Sequence, residues 1–546
     1  MRRLVLYLFF LLSVVPVCEA ETTTDYKNEN LSMSLSRRKI KKWAKDNAYN
    51  YIVVRDLTSL EANLKPKTIF DLRANIDLNN KEILLPKNCY VRFARYSVYN
   101  GKMSGVLLNP IVEVKSFGAY PNDMIDDYQA IQNACRISSG KIVFDSGKYY
   151  VSNILNVNNS NITIVGDETE IFITPRKSQD PGILISSCSN IEISGLSLYS
   201  DGRYASASKF SRPDGTLWSN VQGIVISNVN NINIHNLRFA NLEYALKIDG
   251  RIGSNRDVYI SDISTSDNVV MPIYISYTTN ATIRKSHLCA SKSASGYDHH
   301  IYACSQNENH LIEDCIFEGG SGIPIHYYNE DTTTNNNIRI NNCKLFDTLG
   351  AIILSSQNAG NMSVSNLEIL TDREYANGVI RSEGNNTLIV KDCTIDAKKQ
   401  YLFSCTSTLT IIDSILADIK ALQTALPKKG SSLRLENSKI ILRDLKYMVY
   451  LSGANSNNLG NVDFISNDFT IKPNIDWLFS TRGISPVNFN VSNNVFRCEG
   501  GVKYAVYQAG ASNPNFIFSD NTLYGCPLEK HSSVKDGVFK NNVIHK

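Results

Sequence analysis

The chain has 546 residues, with 56 Lys and Arg against 52 Asp and Glu and a formal net charge of +4. So balanced a charge argues against a nucleic-acid binder, which needs a concentrated basic face. A length of this order suggests several domains, but a solenoid can grow by adding coils, so the length alone does not set the number of domains.

The N-terminus has the pattern of an export signal. Arg2 and Arg3 precede an apolar run from Leu4 to Val17, and Ala20 is the predicted last residue before cleavage. That run is too short to span a bilayer, and no later stretch is long and apolar enough to do so. We expect residues 1–20 to be removed and the mature chain to be secreted, periplasmic or at the cell surface. Lipid anchoring at Cys18 is the less favoured alternative, because Val17 is bulkier than the small residue expected there.

The next two segments precede the best repeats. Residues 21–50 are polar and carry a basic cluster from Arg37 to Lys45, which predicts a solvated N-terminal arm. Residues 51–110 contain strand-like pieces and are predicted to form an N-terminal cap and the first coils. A helix follows over Ile125–Ile137, with Asp126 or Asp127 as its N-cap.

A recurring phrase runs through the rest of the chain: an aliphatic residue, two polar residues often ending in Asn or Asp, then a small or apolar residue. Its best copies are Ile234–Leu237, Ile260–Ile263, Ile283–Ser286, Ile312–Cys315, Ile340–Cys343 and Val390–Cys393. Regular spacing of 20 to 50 residues indicates a solenoid. Apolar and polar residues alternate over four to six positions between turn-forming residues, which predicts short strands. Stacked coils would pair identical asparagines into turn ladders.

The cysteines follow the same repeat. Cys289, Cys315, Cys343 and Cys393 recur at nearly constant spacing, which predicts free thiols stacked in the core as small hydrophobes. No CxxC pair occurs, so the sequence predicts no zinc site.

Three segments carry a family resemblance. Val114-Lys-Ser-Phe-Gly-Ala119, then Asp126-Asp-Tyr-Gln-Ala-Ile-Gln132 and Gly140–Val151, resemble the opening of the pectate-lyase-like superfamily. The resemblance implies an all-β fold over 111–546, a single-stranded right-handed parallel β-helix solenoid with a short N-terminal capping helix. It does not specify a reaction, because one fold hosts many functions. We expect Asp126 and Asp127 to cap the helix rather than to form a catalytic pair.

Aligning the coils predicts which side chains face outward together. With Leu246, Ile273, Ile301 and Ile323 as equivalent inward residues, one outward column contains Lys247, Tyr274, Tyr302 and Pro324. The next column contains Asp249, Ser276, Cys304 and His326, and the preceding one includes His300. We predict His299 to be structural.

The densest group of ionisable and aromatic residues predicts a carbohydrate site. The predicted catalytic residues are His300, Tyr302, His326 and Lys247, and the predicted substrate-binding residues are Tyr274, Asp249, Asp298, Tyr328 and Arg381. Aromatic rings pack on sugars, a cation neutralises a carboxylate, and a Tyr, His or Lys moves a proton. The favoured function is cleavage of an acidic glycan by β-elimination. The alternatives are a glycoside hydrolase and a non-catalytic glycan-binding or adhesive protein.

Related enzymes narrow the choice only partly. Asp298-His-His300 resembles the Asp-x-His element of alginate-type epimerases, but His299 stands where that element has proline, and Ser295 stands where it has tyrosine. The Gly-His-Gly and Arg-Ile-Lys motifs of polygalacturonase-like hydrolases do not occur. No compact acidic cluster of the kind that holds calcium in pectate lyases is evident, so no cofactor is predicted.

Overall fold

The computed structural model describes residues 36–545 except for short internal gaps. The gaps are 105–108, 110, 138–139, 175–179, 201–220, 252, 293–297, 329–334, 357–359, 374–377, 398–400, 406, 420–421, 426–429, 444–446, 453–459, 473, 484–487, 511–514 and 530–536. The predicted signal peptide, Cys18 and Ser295 therefore lie outside the described residues. No helix within the described ranges is long and apolar enough to cross a membrane.

The N-terminal basic stretch is part of the folded unit, so the prediction of a solvated arm is wrong for residues 37–46. Helix α1 (Arg37–Asp46) buries Ile40 and Ala44. The ring of Trp43 packs 5.2 Å from that of Tyr49, and Arg37 Nε lies 3.5 Å from the buried carboxylate of Asp71. Alternation of apolar residues with the basic ones gives this helix one face that can dock.

Short strands and a second helix follow α1. The helix is α2 (Leu57–Glu61), and the strands are Asn50–Val54, Thr68–Leu72, Ile76–Asp77, Glu82–Leu84, Tyr90–Arg92, Val98–Tyr99 and Lys102–Ser104. They pair in parallel as three small sheets. Parallel pairing between strands some twenty residues apart shows that coiling begins at about residue 50, as the sequence predicted for 51–110.

Helix α3 (Tyr128–Ile137) begins directly after Asp126 and Asp127. The Asp126 carboxylate accepts from the Tyr128 amide, as a capping residue does, and the Asp127 carboxylate accepts from the Tyr120 and Tyr150 amides. Burial raises the pKa of Asp127 to about 7. Both aspartates therefore fix the helix against the neighbouring strand, which is a structural role.

The remaining chain is a parallel β-helix with three faces, so the predicted fold class is confirmed. Six long strands bend round two or three faces: Ile162–Ile173, Pro181–Ser200, Gln222–Ala240, Asn255–Thr265, Met271–Arg284 and Ile301–Glu313. Shorter strands on the first face are Leu155–Val157, Tyr244–Asp249, Ile325–Tyr328, Ile352–Ser356, Ile380–Gly384, Phe403–Cys405, Leu422–Ala425, Tyr447–Ser452, Ile475–Gly483 and Val502–Gly510.

The other two faces are built in the same way. Strands confined to the second face are Ile111–Glu113, Gly140–Val143, Asn335–Asn336, Ile338–Asn341, Asn361–Ser365, Thr387–Lys391, Thr408–Ile412, Ser432–Glu436, Asn461–Ile465, Phe489–Ser492, Phe516–Ser519 and Val538–Lys540. Those of the third face are Gly147–Val151, His287–Ala290, Ile316–Gly319, Lys344–Phe346, Glu368–Thr371, Thr394–Ala397, Ile415–Ile419, Lys439–Leu442, Asp468–Ile471, Val495–Cys498, Thr522–Tyr524 and Val543–His545. Their inward side chains form one continuous apolar core.

The recurring phrase forms the corner between the second and third faces. Its third residue has a left-handed backbone at successive coils: Asn236, Asp262, Lys285, Asp314, Asn342, Asn366, Asp392, Asp413, Asn437, Ser466, Asn493, Asp520 and Asn541. Asn and Asp tolerate this conformation better than other non-glycine residues. The requirement explains why the phrase so often has Asn or Asp at this place.

Ladders of polar side chains stabilise two corners, as predicted. On the outside, the Asn309 amide donates to Asn280 at 3.1 Å, and the Asn337 amide donates to Asn309 at 2.7 Å. Inside the last coils, Asn467 donates to Asn494 at 3.0 Å, and Asn494 donates to Asn521 at 3.1 Å.

The cysteine ladder is confirmed for three of its four predicted members. Cys315, Cys343 and Cys393 are free and buried at the residue after the left-handed corner. Cys289 is free but partly exposed, because Ser286 occupies that corner position in its coil. Cys498 and Cys526, whose pairing the sequence did not predict, form a disulfide.

Candidate functional site

The first face carries one outward column that crosses six coils. Register pairs join Lys247, Tyr274, Tyr302, His326, Ile353 and Arg381 in this order. The predicted alignment is right for the first three and wrong by two residues at the fourth coil, where His326, not Pro324, stands opposite Tyr302. The correction brings His326 into the same column as Tyr302 and Lys247.

The two adjacent histidines have the opposite orientations to those predicted. His300 has no exposed surface, donates from Nε2 to the Glu318 carbonyl at 2.9 Å and packs on Phe317. The prediction that His300 faces the substrate is therefore wrong. His299, predicted to be structural, stacks on the Tyr302 ring at 5.2 Å and lies against His326.

His299 and His326 form a pair with defined hydrogen-bonding roles. Nδ1 of His299 lies 2.8 Å from the Ile323 carbonyl oxygen, which can only accept, so Nδ1 carries the proton. Nε2 of His299 is then an acceptor, 3.5 Å from Nδ1 of His326. A proton on Nδ1 of His326 leaves its Nε2 with a free lone pair. Burial lowers the pKa of His299 to about 4 and that of His326 to about 3, so both rings are neutral at pH 7.

Tyrosines and Lys247 line the same surface. The Lys247 ammonium lies 5.5 Å from the centre of the Tyr244 ring and 5.8 Å from that of Tyr274, within cation–π range. The Tyr274 and Tyr302 rings lie 6.0 Å apart, and the Tyr274 hydroxyl contacts Cys304 Sγ at 2.8 Å. Burial, with Cys304 nearby, raises the pKa of Tyr274 above its usual range. We call Tyr244, Lys247, Tyr274, Tyr302, His299 and His326 the aromatic strip.

Two carboxylates beside Lys247 differ in their electrostatics. Burial pushes the pKa of Asp249 up, but hydrogen bonds from Arg251, as short as 2.5 Å, and its charge outweigh this and lower the pKa overall. Glu243, which the sequence analysis did not single out, is buried, and its pKa is raised to about 7 against the opposing charge of Lys247. Two carboxyl groups with divergent pKa values are typical of acid–base sites.

The remaining predicted residues divide between the surface and the interior. Tyr328 lies outward beside His326, with ring centres 5.7 Å apart. Arg381 ends the column, and its Nε donates to Glu383 at 3.0 Å. Asp298 is buried and accepts from Ser291, so it faces away from the aromatic strip, contrary to its predicted contact with substrate.

Comparisons with known proteins agree with the fold. Residues 111–344 match the family model described as rhamnogalacturonase A/epimerase, pectate lyase-like. No curated protein matches. Solved structures that match do so at low sequence identity, which is informative about fold alone.

Three of these structures illustrate the range. The tailspike protein of E. coli bacteriophage HK620 is 12% identical, covers 79% of this chain and 78% of its own, and gives a TM-score of 0.48. The A-module of the Azotobacter vinelandii mannuronan C-5 epimerase AlgE6 is 15% identical over 80% and 99%, with a TM-score of 0.34. ORF18 of Geobacillus virus E2 is 18% identical over 66% of this chain and 62% of its own, with a TM-score of 0.33.

The coil architecture, the opening segments and the matched range agree with one another. Through residues 111–344, the chain belongs to the pectate-lyase-like superfamily of parallel β-helix proteins.

Proposed function

We propose that the protein is a polysaccharide-active enzyme that cleaves an acidic glycan by β-elimination at the aromatic strip. The observation that carries the proposal is the His299–His326 pair, in which a backbone carbonyl fixes the tautomer of one ring and leaves the second ring with a lone pair. A side chain held in this way is suited to act as a general base.

The chemistry follows from the placement of charge. His326 Nε2 removes the proton on the carbon beside the sugar carboxylate, the bond to the leaving glycosidic oxygen breaks, and that oxygen takes a proton from a nearby donor such as Tyr302. A double bond forms in the sugar. Burial gives His326 a low pKa, and a bound carboxylate would raise that pKa and strengthen the base.

The column also supplies the groups that hold an acidic polymer. Lys247 and Arg381 are separated by five coil steps, or about 24 Å. Cations at both ends neutralise carboxylates, and the tyrosines between them offer ring faces to the sugars. A positive group close to the reacting carboxylate also stabilises the enolate that forms when the proton leaves.

A panel of acidic and neutral polysaccharides tests the proposal. The expected result is new ultraviolet absorbance from an unsaturated sugar on at least one acidic glycan, lost in His326→Gln. Reducing ends without that absorbance would overturn β-elimination. Glycan binding without any cleavage would make the protein a binding module.

Glycoside hydrolysis is the second candidate, favoured by Glu243. A glycosidase uses one protonated and one ionised carboxyl group. The raised pKa of Glu243 and the lowered pKa of Asp249 are suited to these two roles. Hydrolysis predicts that Glu243→Gln abolishes the release of reducing ends whereas His326→Gln spares it; β-elimination predicts a smaller effect of Glu243→Gln than of His326→Gln.

A further inference from the structure

A second group of reactive side chains lies on the third face, away from the aromatic strip. His287 and Cys289 are two residues apart on the strand His287–Ala290 and therefore point to the same side. Glu318 stands directly opposite Cys289 on the next coil. The side chains of His287 and Glu318 are 49% and 53% exposed, so the group is open to solvent.

The three donor atoms have the mutual spacing of metal ligands. His287 Nε2 lies 3.0 Å from Glu318 Oε2, and Cys289 Sγ lies 3.6 Å from the first and 3.9 Å from the second. Tetrahedral zinc with bonds of about 2.0–2.3 Å holds neighbouring donors about 3.3–3.6 Å apart. The observed triangle thus needs only small side-chain adjustments to accept an ion.

We propose that His287, Cys289 and Glu318 form a zinc site that joins two successive coils. One thiolate, one imidazole and one carboxylate are ligand types that zinc accepts, and hard cations such as calcium would not use the sulfur. The protein supplies three ligands, and the exposed side of the group leaves the fourth position to water or an external ligand. This site is independent of the proposed function, because it shares no residue with the aromatic strip.

The surroundings are consistent with a bound cation. Burial raises the pKa of the Cys289 thiol to about 11, and the charges of Glu318 and Asp267 raise it further. A divalent ion would offset this excess of negative charge and displace the thiol proton. The backbone carbonyl of Glu318 accepts from His300 Nε2, which fixes the strand that presents the carboxylate.

Cobalt is the probe for this site, because a cobalt–thiolate bond gives a near-ultraviolet charge-transfer band and tetrahedral cobalt gives intense visible bands. The full chain, purified without added thiols, is titrated with Co²⁺ and then with Zn²⁺. We expect one equivalent to produce both bands and zinc to displace it. Cys289→Ser should abolish the charge-transfer band, and His287→Gln or Glu318→Gln should weaken binding at least about tenfold.

Glu368→Gln is the matched control, because Glu368 is a half-exposed carboxylate on the same face, paired with Lys344 at 2.8 Å. It should leave cobalt binding unchanged. A wild-type chain that shows no thiolate band at one equivalent of cobalt would overturn the proposal, as would a band that survives Cys289→Ser. Circular dichroism of each variant checks that a lost band does not reflect a lost fold.

Discussion

Nε2 of His299 and Nδ1 of His326 lie 3.5 Å apart although 27 residues separate them in the chain. The contact joins two successive coils, and the Ile323 carbonyl fixes its direction through Nδ1 of His299. A base oriented in this way keeps one tautomer throughout a catalytic cycle. The relationship makes His299 a positioning residue for His326.

The first prediction separates the base from its positioning partner. His326→Gln should lower kcat about a hundredfold or more, because the proton acceptor is lost. His299→Gln should lower kcat less and should shift the acidic limb of the pH–rate profile, because it changes the tautomer and pKa of His326. Steady-state kinetics on the glycan identified by the panel measures both. His235→Gln, at a half-exposed site on another face, is the control, and equal activity of all three variants would place the chemistry elsewhere.

The second prediction concerns substrate charge. Lys247→Ala should weaken acidic glycans more than neutral ones, since it removes a cation from one end of the aromatic strip. Comparing KM for matched acidic and neutral oligosaccharides at low salt measures the difference. Lys344→Ala, on the third face, should change neither value. An equal loss for both substrates would mean that Lys247 acts by packing on Tyr244 and Tyr274 rather than by charge.

The third prediction concerns the cysteine ladder. Cys315→Ser should lower the free energy of unfolding by only about 1 kcal/mol, because serine can donate to the carbonyl two residues earlier. Ser286, Ser414 and Ser438 make this bond at the equivalent corner, at 2.8–2.9 Å. Chemical denaturation measures the change. A loss above about 3 kcal/mol would show that the column requires a larger apolar atom at this coil.

Thiol labelling tests the same ladder from outside. Cys315, Cys343 and Cys393 are buried and should react with a thiol reagent only after denaturation, whereas Cys289 is partly exposed and should react in the folded protein. Mass spectrometry of labelled peptides identifies the sites. Labelling of Cys343 under native conditions would contradict the stacked arrangement.

The fourth prediction concerns acid stability. His310 is buried between the Tyr327 hydroxyl and the Thr278 carbonyl, and burial lowers its pKa to about 4. Between this value and the unfolded value of about 6.5, the unfolded chain binds the extra proton, so stability present above pH 6.5 is lost as the pH falls. His310→Gln should reduce that slope by up to about 1.4 kcal/mol per pH unit. Urea unfolding from pH 4 to 7 measures it, and an unchanged slope would contradict the assignment.

The sequence was sufficient to predict the fold because the information is repeated. The corner residue needs a left-handed backbone in every coil, so Asn or Asp recurs at intervals that reveal the period, as at Asp314 and Asn342. The docking of α1 was missed because its apolar residues, such as Ile40 and Trp43, are few among many lysines and arginines.

The site was predicted only in part because register depends on loop length. The loop before Ile325 adds residues that no periodicity reveals, so the alignment placed Pro324 where His326 lies. His299 and His300 precede the strand Ile301–Glu313, where alternation does not yet apply. Glu243 was missed because an acidic residue next to a strand usually lies in solvent; only its burial identifies it.

The parallel pairing of the first face gives the protein a fixed ruler. Its outward groups recur about every 4.8 Å, set by backbone hydrogen bonds that cannot stretch to suit a ligand. A linear polymer whose repeat differs by about 0.5 Å would be out of step by half a rung after about five coils. Contacts from Lys247 to Arg381 therefore select for the pitch of a glycan as well as for its charge. Inserting or deleting a whole coil would change the length that is measured without changing its unit.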